Sequence, residues 1–384
     1  MDWDSIKNAK KPLGRFGPWQ WAVEFVRGCN LNCWHCPSRI FPADGVNCFM
    51  SKSVWEAIFR IVAENTPYCR FEIGQCGEPT LHPHMFEFVS MAREISPTTQ
   101  ITTYTNGISL MKGDITYREM FDAGFHSIYV DMYAPVEKHI ALAEASGIEW
   151  FMYNNHKIGS EGHERKANTY YNDPDMKLII LQDRPENRIK WRNVGRLSTF
   201  LNHIDWKASI PYGLVPVRES YERRCTIPQR FVTVSYEGDY TFCCIDFLCE
   251  ACGLMGNVSE GSEGFKRYWF GRLMQSIRRR LFNKDRAGIP YCSRCNCAIL
   301  QNCDMKIWPE ETFDQWWDGK EWRDMSSLEM DEEVFADGWE KAAIANEQLP
   351  SEEWELECLK NSKRRIINTR SVVEKKNKMK GFFG

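Results

Sequence analysis

Residues 27 to 37 read Arg-Gly-Cys-Asn-Leu-Asn-Cys-Trp-His-Cys-Pro, which places Cys29, Cys33 and Cys36 on one short loop at spacing C-x3-C-x2-C. A cubane iron–sulfur cluster is ordinarily held by four cysteine thiolates. Three ligands this close can hold three irons and leave the fourth open to bind and activate a second molecule. Zinc is the alternative. The C-x2-C pair suits it, but a third thiol at x3 falls outside its usual paired spacings. A second set of thiols lies far down the chain, with nine cysteines between Cys225 and Cys303. Cys225 and Cys243 flank a hairpin-like stretch, Arg230 to Cys243, that turns at Glu237-Gly238. The two thiols can therefore meet at the open end of the strands. Cys292 and Cys295 add a C-x2-C pair. Four thiolates satisfy a cubane completely, so a cluster on Cys225, Cys243, Cys292 and Cys295 would move electrons and bind no substrate. Zinc competes here as well, through Cys249-x2-Cys252 paired with Cys292-x2-Cys295. Cys244, Cys249, Cys252, Cys297 and Cys303 remain for a zinc or a second cluster.

Composition narrows what can surround these thiols. The 384 residues suffice for two domains, and 43% hydrophobic with 26% charged residues is ordinary for a globular chain. A net charge of -3 marks no nucleic-acid or membrane surface. The first residues, Met-Asp-Trp-Asp-Ser-Ile-Lys, lack the apolar core of a signal peptide. No apolar run is long enough for a bilayer. Sixteen cysteines in such a chain imply a reducing, cytoplasmic compartment with thiols as metal ligands.

The elements that must position the thiols alternate along the chain. After a polar arm, 1–20, a strand over 21–26 runs directly into the three-cysteine loop. A helix follows, capped by Ser51 or Ser53, with Trp55, Ile58, Ile61 and Val62 on one face. Strands are expected over 70–74, 100–105, 126–132, 149–153, 176–181 and 205–210. Helices are expected over 84–95, 117–123, 136–146 and 187–202. Residues 154–175 read as a long polar loop, placed to lie over a substrate. Strand–helix repetition of this kind argues an α/β fold with a parallel sheet and helices outside. Active-site loops then leave the C-terminal ends of the strands. The pattern changes after residue 210. Residues 211–303 form a small cysteine-rich α+β domain with a basic helix over 265–282, where Arg278, Arg279 and Arg280 read as a wet face. Residues 304–384 hold six of the fifteen tryptophans and read as a helical appendage with a basic tail.

The C-x3-C-x2-C loop, with His35 before its last cysteine, resembles the signature of the radical S-adenosylmethionine (SAM) enzymes. Further landmarks of that family follow in order. Gly77-Glu78-Pro79 resembles the end of its Gly-Gly-Glu-Pro segment, with Cys76 in place of the first glycine. Thr105-Asn106-Gly107 resembles its Thr-Asn-Gly, and the segment Met120 to Tyr133 its helix–Ala-Gly–strand unit ending at Asp131. The Cys225 hairpin, Asn257-Val258 and Cys292-x2-Cys295 resemble the auxiliary-cluster domains called SPASM or, in the shorter form, twitch. The resemblance covers residues 21–303 and implies a partial (β/α)6-type barrel over 21–210.

It also implies a [4Fe–4S] cluster on Cys29, Cys33 and Cys36 whose open iron binds the amino and carboxylate groups of SAM. Gly77, Glu78 and Pro79 would receive the amino group, since an ammonium needs acceptors and negative charge. Thr105 and Asn106 would meet the ribose or carboxylate, His35 the adenine, and Asp131 the cofactor. The implied activity is reductive cleavage of SAM to a 5′-deoxyadenosyl radical that abstracts a hydrogen atom from a substrate carbon. An external donor such as a flavodoxin or ferredoxin would supply the electron. One auxiliary [4Fe–4S] cluster could take a second electron and make the net reaction an oxidation.

The arm before residue 21 is too short for a leader-peptide-binding domain. The expected substrate is therefore a small polar molecule or a nucleoside or base. A peptide- or protein-modifying maturase is the alternative, and a non-catalytic iron–sulfur or zinc scaffold is the competing class. Metal analysis separates these readings. Two cubanes give about eight irons and eight sulfides per chain. About twelve of each means a second auxiliary cluster, and about four with one zinc means the zinc site.

Overall fold

The computed structural model describes residues 17–31, 48–75, 77–131, 133, 135–153, 178–182, 224–244, 254–285, 289, 292 and 315–324. The expected loop 154–175, helix 187–202 and strand 205–210 lie outside the described residues, as do Cys33, His35, Cys36, Cys76, Cys249, Cys252, Cys295, Cys297 and Cys303.

The chain begins with β1 (Gln20–Val23) and β2 (Val26–Arg27), then β3 (Cys48–Phe49), α1 (Lys52–Asn65), β4 (Arg70–Ile73), α2 (Met85–Ile95) and β5 (Gln100–Thr105). It continues through α3 (Ile108–Lys112), α4 (Tyr117–Ala123), β6 (Ser127–Asp131), α5 (Val136–Ala145), β7 (Glu149–Tyr153) and β8 (Leu178–Gln182). After these come β9 (Phe231–Val234), β10 (Tyr240–Thr241), α6 (Gly261–Phe270), α7 (Arg272–Phe282), β11 (Gln315–Trp317) and β12 (Trp322–Asp324). Eight strands form one sheet in the order β10-β9-β1-β4-β5-β6-β8-β7, parallel except for β10 against β9. The architecture is the expected α/β one, a mostly parallel sheet with its helices outside.

Sequence logic holds locally. Ser51 caps α1 by accepting the Val54 N–H at 3.3 Å. Trp55, Ile58, Phe59 and Val62 recur at helical spacing and are buried. Trp21, Phe71 and Trp55 fill the layer between sheet and helices, with Trp21 stacked on Phe265 of α6 at 5.1 Å. The two buried indoles are also satisfied. Trp21 donates to the Thr66 hydroxyl at 3.0 Å and Trp55 to the Phe88 carbonyl at 2.7 Å. Thr116 and Glu119 form a capping box on α4, and Gly124, at φ +119, stops it.

Four expectations are corrected, and the structure sets a strand order that the alternation leaves open. The first strand breaks after Val23, and β2 leaves the main sheet to pair with β3. β8 inserts between β6 and β7. Its run Leu-Ile-Ile-Leu is apolar throughout and suits a central position, whereas β7 opens on Glu149 and takes the edge. The basic stretch 265–282 is two helices broken at Gly271, where a Cβ would stand 1.9 Å from the Arg267 carbonyl oxygen. Arg278 is fully buried and not on a wet face. Within the expected helical appendage, β11 and β12 form an antiparallel hairpin. Its Asp318 carboxylate accepts the N–H groups of Lys320 and Glu321 at 2.8 and 2.9 Å, and β-favouring tryptophans flank the turn.

Trp55 touches Phe25, Phe59, Phe71 and Phe88. Trp55→Ala should therefore cost about 3–5 kcal/mol, read as a lowered urea midpoint with an unchanged slope.

Candidate functional site

The loop that bears Cys29 is closed at its neck by β2 and β3, which pair Val26 with Phe49 and Arg27 with Cys48. Phe25 accepts the Met50 N–H at 3.1 Å just beyond the pair. His82 fastens the neck from the other side. Its Nδ1 accepts the His84 N–H at 3.1 Å, so Nε2 carries the proton and donates to the Met50 carbonyl at 3.0 Å. Burial holds His82 below its ordinary pKa, in the neutral form this arrangement requires. Its ring stacks on Phe25 at 4.2 Å.

The segment after β4 runs beneath the cysteine loop. Gly77 has φ +81, and a Cβ there would lie 2.0 Å from the Val26 carbonyl oxygen and 2.6 Å from that of Gly28. Only a glycine permits that approach. The next residue, Glu78, donates its N–H to Gly28 at 2.8 Å. Its side chain is 2% exposed. One carboxylate oxygen accepts the Thr80 N–H at 3.2 Å, the Thr80 hydroxyl at 2.7 Å and the Thr105 hydroxyl at 2.6 Å. The other accepts the Asn106 N–H at 2.8 Å. Burial pushes the Glu78 pKa up, and these four hydrogen bonds pull against it.

Asn106 carries the connection onward. Its Oδ1 accepts the Ile108 N–H at 3.0 Å, which fixes the amide orientation. Its Nδ2 donates to Asn30 Oδ1 at 2.7 Å and reaches Cys29 Sγ at 3.5 Å. The Leu31 N–H stands 3.3 Å from the same sulfur. Two N–H groups therefore point at this sulfur, and the Cys29 thiol itself reaches Asn30 Oδ1 at 3.8 Å. Gly107, at φ +72, packs where a Cβ would lie 2.6 Å from the buried His139 ring.

The structure thus brings together Cys29, Gly77, Glu78, Pro79, Thr105 and Asn106. Pro79 is buried and opens a short 3-10 turn capped by Glu78. Asp131, half-buried at the end of β6, is not among the partners of Glu78 or Asn106. Cys225 is partly buried, whereas Cys243 and Cys292 are each 6% exposed.

Several residues had no motif to announce them. Thr80 is one of the donors to Glu78. Gln75 donates from Nε2 to the Cys244 carbonyl at 3.0 Å and so ties the Glu78 segment to the second cysteine set. Glu24 accepts both Arg27 Nε and Nη2, at 2.8 and 2.7 Å, and the Tyr236 N–H of the distant hairpin at 3.3 Å. Arg27 also lies over the Tyr236 ring at 4.8 Å. The strand–loop alternation of the sequence places these residues at strand ends, but their pairing is tertiary.

Comparison with known proteins identifies two families along the chain. Residues 23–167 match the radical SAM superfamily, and residues 225–296 match SPASM, an iron–sulfur cluster-binding domain. No curated protein matches the sequence. Among solved structures, BtrN in complex with AdoMet and 2-DOIA aligns over 76% of this chain and 98% of its own at 17% identity, with a TM-score of 0.53. That is a likeness of fold. Streptococcus suis SuiB bound to precursor peptide SuiA (15% identity, 72% of each chain, TM-score 0.38) and native anSMEcpe with bound AdoMet (15%, 85% and 98%, 0.39) are looser.

Gly77→Ala places a methyl group against two carbonyl oxygens. The variant should bind SAM at least about tenfold more weakly than the parent by anaerobic equilibrium dialysis, a loss of 1.4 kcal/mol. Unchanged affinity would mean that the close passage under the cysteine loop has no bearing on the site.

Proposed function

The chain belongs to the radical SAM superfamily as an enzyme with a C-terminal SPASM iron–sulfur domain, and from that premise we propose that it abstracts a hydrogen atom from a small polar substrate held against the inner face of the sheet. Cys29, Cys33 and Cys36 would hold the [4Fe–4S] cluster, and Cys225, Cys243, Cys292 and Cys295 one auxiliary cluster. When bound, the first cluster supplies the electron that cleaves SAM, and the carbon radical so released takes the hydrogen atom.

The observation that carries the assignment is the direct reach from Glu78 through Asn106 to the Cys29 sulfur. The groups meant to receive SAM and the group meant to hold iron share one hydrogen-bonded unit. Within it Gly77 lets the main chain approach, and Pro79 and Thr80 fix the turn. Asn106 presents its amide beside the sulfur. The buried Glu78 side chain, held by its four donors, would face the ammonium of SAM. His35 and Asp131 complete the proposed SAM contacts.

The inner face of the sheet supports the substrate class. Trp21, Phe71 and Ile73 are buried on the helix side. On the opposite face Arg70 pairs with Glu72 at 3.2 Å, donates to the Tyr104 hydroxyl at 3.1 Å and lies over the Tyr129 ring. Gln20 donates to Glu72 at 2.7 Å, and Tyr104 stacks on Tyr129 at 4.5 Å. Parallel barrels ordinarily fill this space with branched apolar side chains. A polar, aromatic lining suits a polar molecule with a ring or flat face. Among the described residues no helix is long and apolar enough to cross a membrane.

Anaerobic incubation of the reconstituted protein with SAM and dithionite should release 5′-deoxyadenosine. The variant with Cys29, Cys33 and Cys36 all changed to Ala should release none. Product from that variant, or none from a fully iron-loaded parent, would contradict the assignment.

A further inference from the structure

We propose that His82 is a positioning residue for SAM: it holds the return end of the cysteine loop on the turn that carries Glu78, so that iron on the loop and the Glu78 segment meet one ligand together. The inference rests on the reading above, in which Cys29, Cys33 and Cys36 hold the cluster and Glu78 meets SAM. One short turn touches both ends of that loop. Glu78 and His82 cap the same 3-10 turn, Pro79–Leu81, at its start and its end. At the start, the Glu78 N–H donates to the Gly28 carbonyl at 2.8 Å, one residue before Cys29. At the end, His82 Nε2 donates to the Met50 carbonyl at 3.0 Å, and the His82 N–H returns to the Pro79 carbonyl at 3.1 Å. The chain between Gly28 and Met50 carries all three cysteines.

The two grips differ in kind. The entry end is held by a main-chain N–H, which any residue but proline at position 78 would supply. The return end depends on a side chain. The neck itself, β2 with β3, is a ladder of two residue pairs, and a pairing so short holds little alone. The His82 bond is enclosed on all sides. His82 is 5% exposed and Met50 1%. The imidazole packs against Phe25, Phe49 and Phe88, with ring centroids at 4.2, 5.3 and 4.8 Å. A carbonyl so enclosed is left unsatisfied when its donor is removed. The His84 N–H on Nδ1 keeps the proton on Nε2, where the Met50 carbonyl needs it.

SAM is the ligand that feels this arrangement most. Iron needs only the thiolates of the loop. SAM needs the iron and also Glu78 and Asn106, which sit on loops after β4 and β5. A loop held only at its entry end can keep its iron and still present it out of place, and misplacement by about 1 Å is costly to a site of this kind. SAM affinity therefore falls at constant iron content if His82 positions the loop, whereas a general loss of structure lowers both.

The test uses the full chain, reconstituted with iron and sulfide, and reads SAM affinity by anaerobic equilibrium dialysis beside iron content. Two variants separate the ring from its donor. His82→Phe keeps an aromatic ring against Phe25 and has no donor for Met50. His82→Gln loses the ring and keeps an Nε2 donor. His82→Phe should bind SAM at least about tenfold more weakly than the parent, with parent-like iron. His82→Gln should recover affinity to within about threefold of the parent. Parent-like affinity in His82→Phe overturns the inference alone, and so does a His82→Gln protein as weak as His82→Phe. If His82→Phe does not hold its iron, His82→Gln decides. Parent-like iron and affinity there support the donor's role, and loss of either overturns it. An iron-loaded parent that does not bind SAM overturns the SAM assignment itself, and this inference with it.

Discussion

The carboxylate of Glu78 is the constraint on which the rest of the site depends. It is buried, and it accepts donors from two loops that leave adjacent strands, β4 and β5. The main-chain N–H groups of Thr80 and Asn106 can only donate. Without an acceptor each would be left unsatisfied at a cost of about 1–3 kcal/mol. Glu78 therefore specifies the relative position of the two loops. Asn106 can lie against Cys29 only because its own backbone is fixed this way. Gly77 then determines how closely the paired loops approach the cysteine loop.

A second constraint joins the two cysteine sets. β9 is a strand of the same sheet as β1, in register from Gln20 against Phe231 to Val23 against Val234. The hairpin that leads to Cys243 is thus an extension of the barrel sheet. Glu24 with Tyr236, and Gln75 with Cys244, add side-chain ties above the strand ends. Backbone hydrogen bonds between β1 and β9 thus fix that hairpin relative to the strand that leads into the Cys29 loop.

Much of this was legible in the sequence because it is local. The strand–helix alternation, the Ser51 cap and the Gly124 stop follow from periodicity and capping chemistry. The order of Cys29, Glu78 and Asn106 along the chain already placed all three just past strand ends. What escaped is tertiary. Nothing near Arg278 signals burial, since three consecutive arginines look like solvated surface, and only the packing of α7 on Pro228 and Trp269 reverses that. The place of β8 between β6 and β7 is set by pairing across the sheet, which periodicity along the chain does not show. The role of Glu78 was only half visible. Its position after a strand makes it a candidate, but the four donors that occupy its carboxylate come from residues two and about thirty positions away.

The most direct measurement is SAM affinity in Glu78→Ala with iron content determined on the same sample. Loss of the carboxylate should release Thr105 and Asn106 and weaken SAM binding by at least about tenfold, or 1.4 kcal/mol, with the iron content of the parent retained. SAM affinity equal to the parent's, in a variant of parent-like iron content, would show that the buried carboxylate does not organise the site.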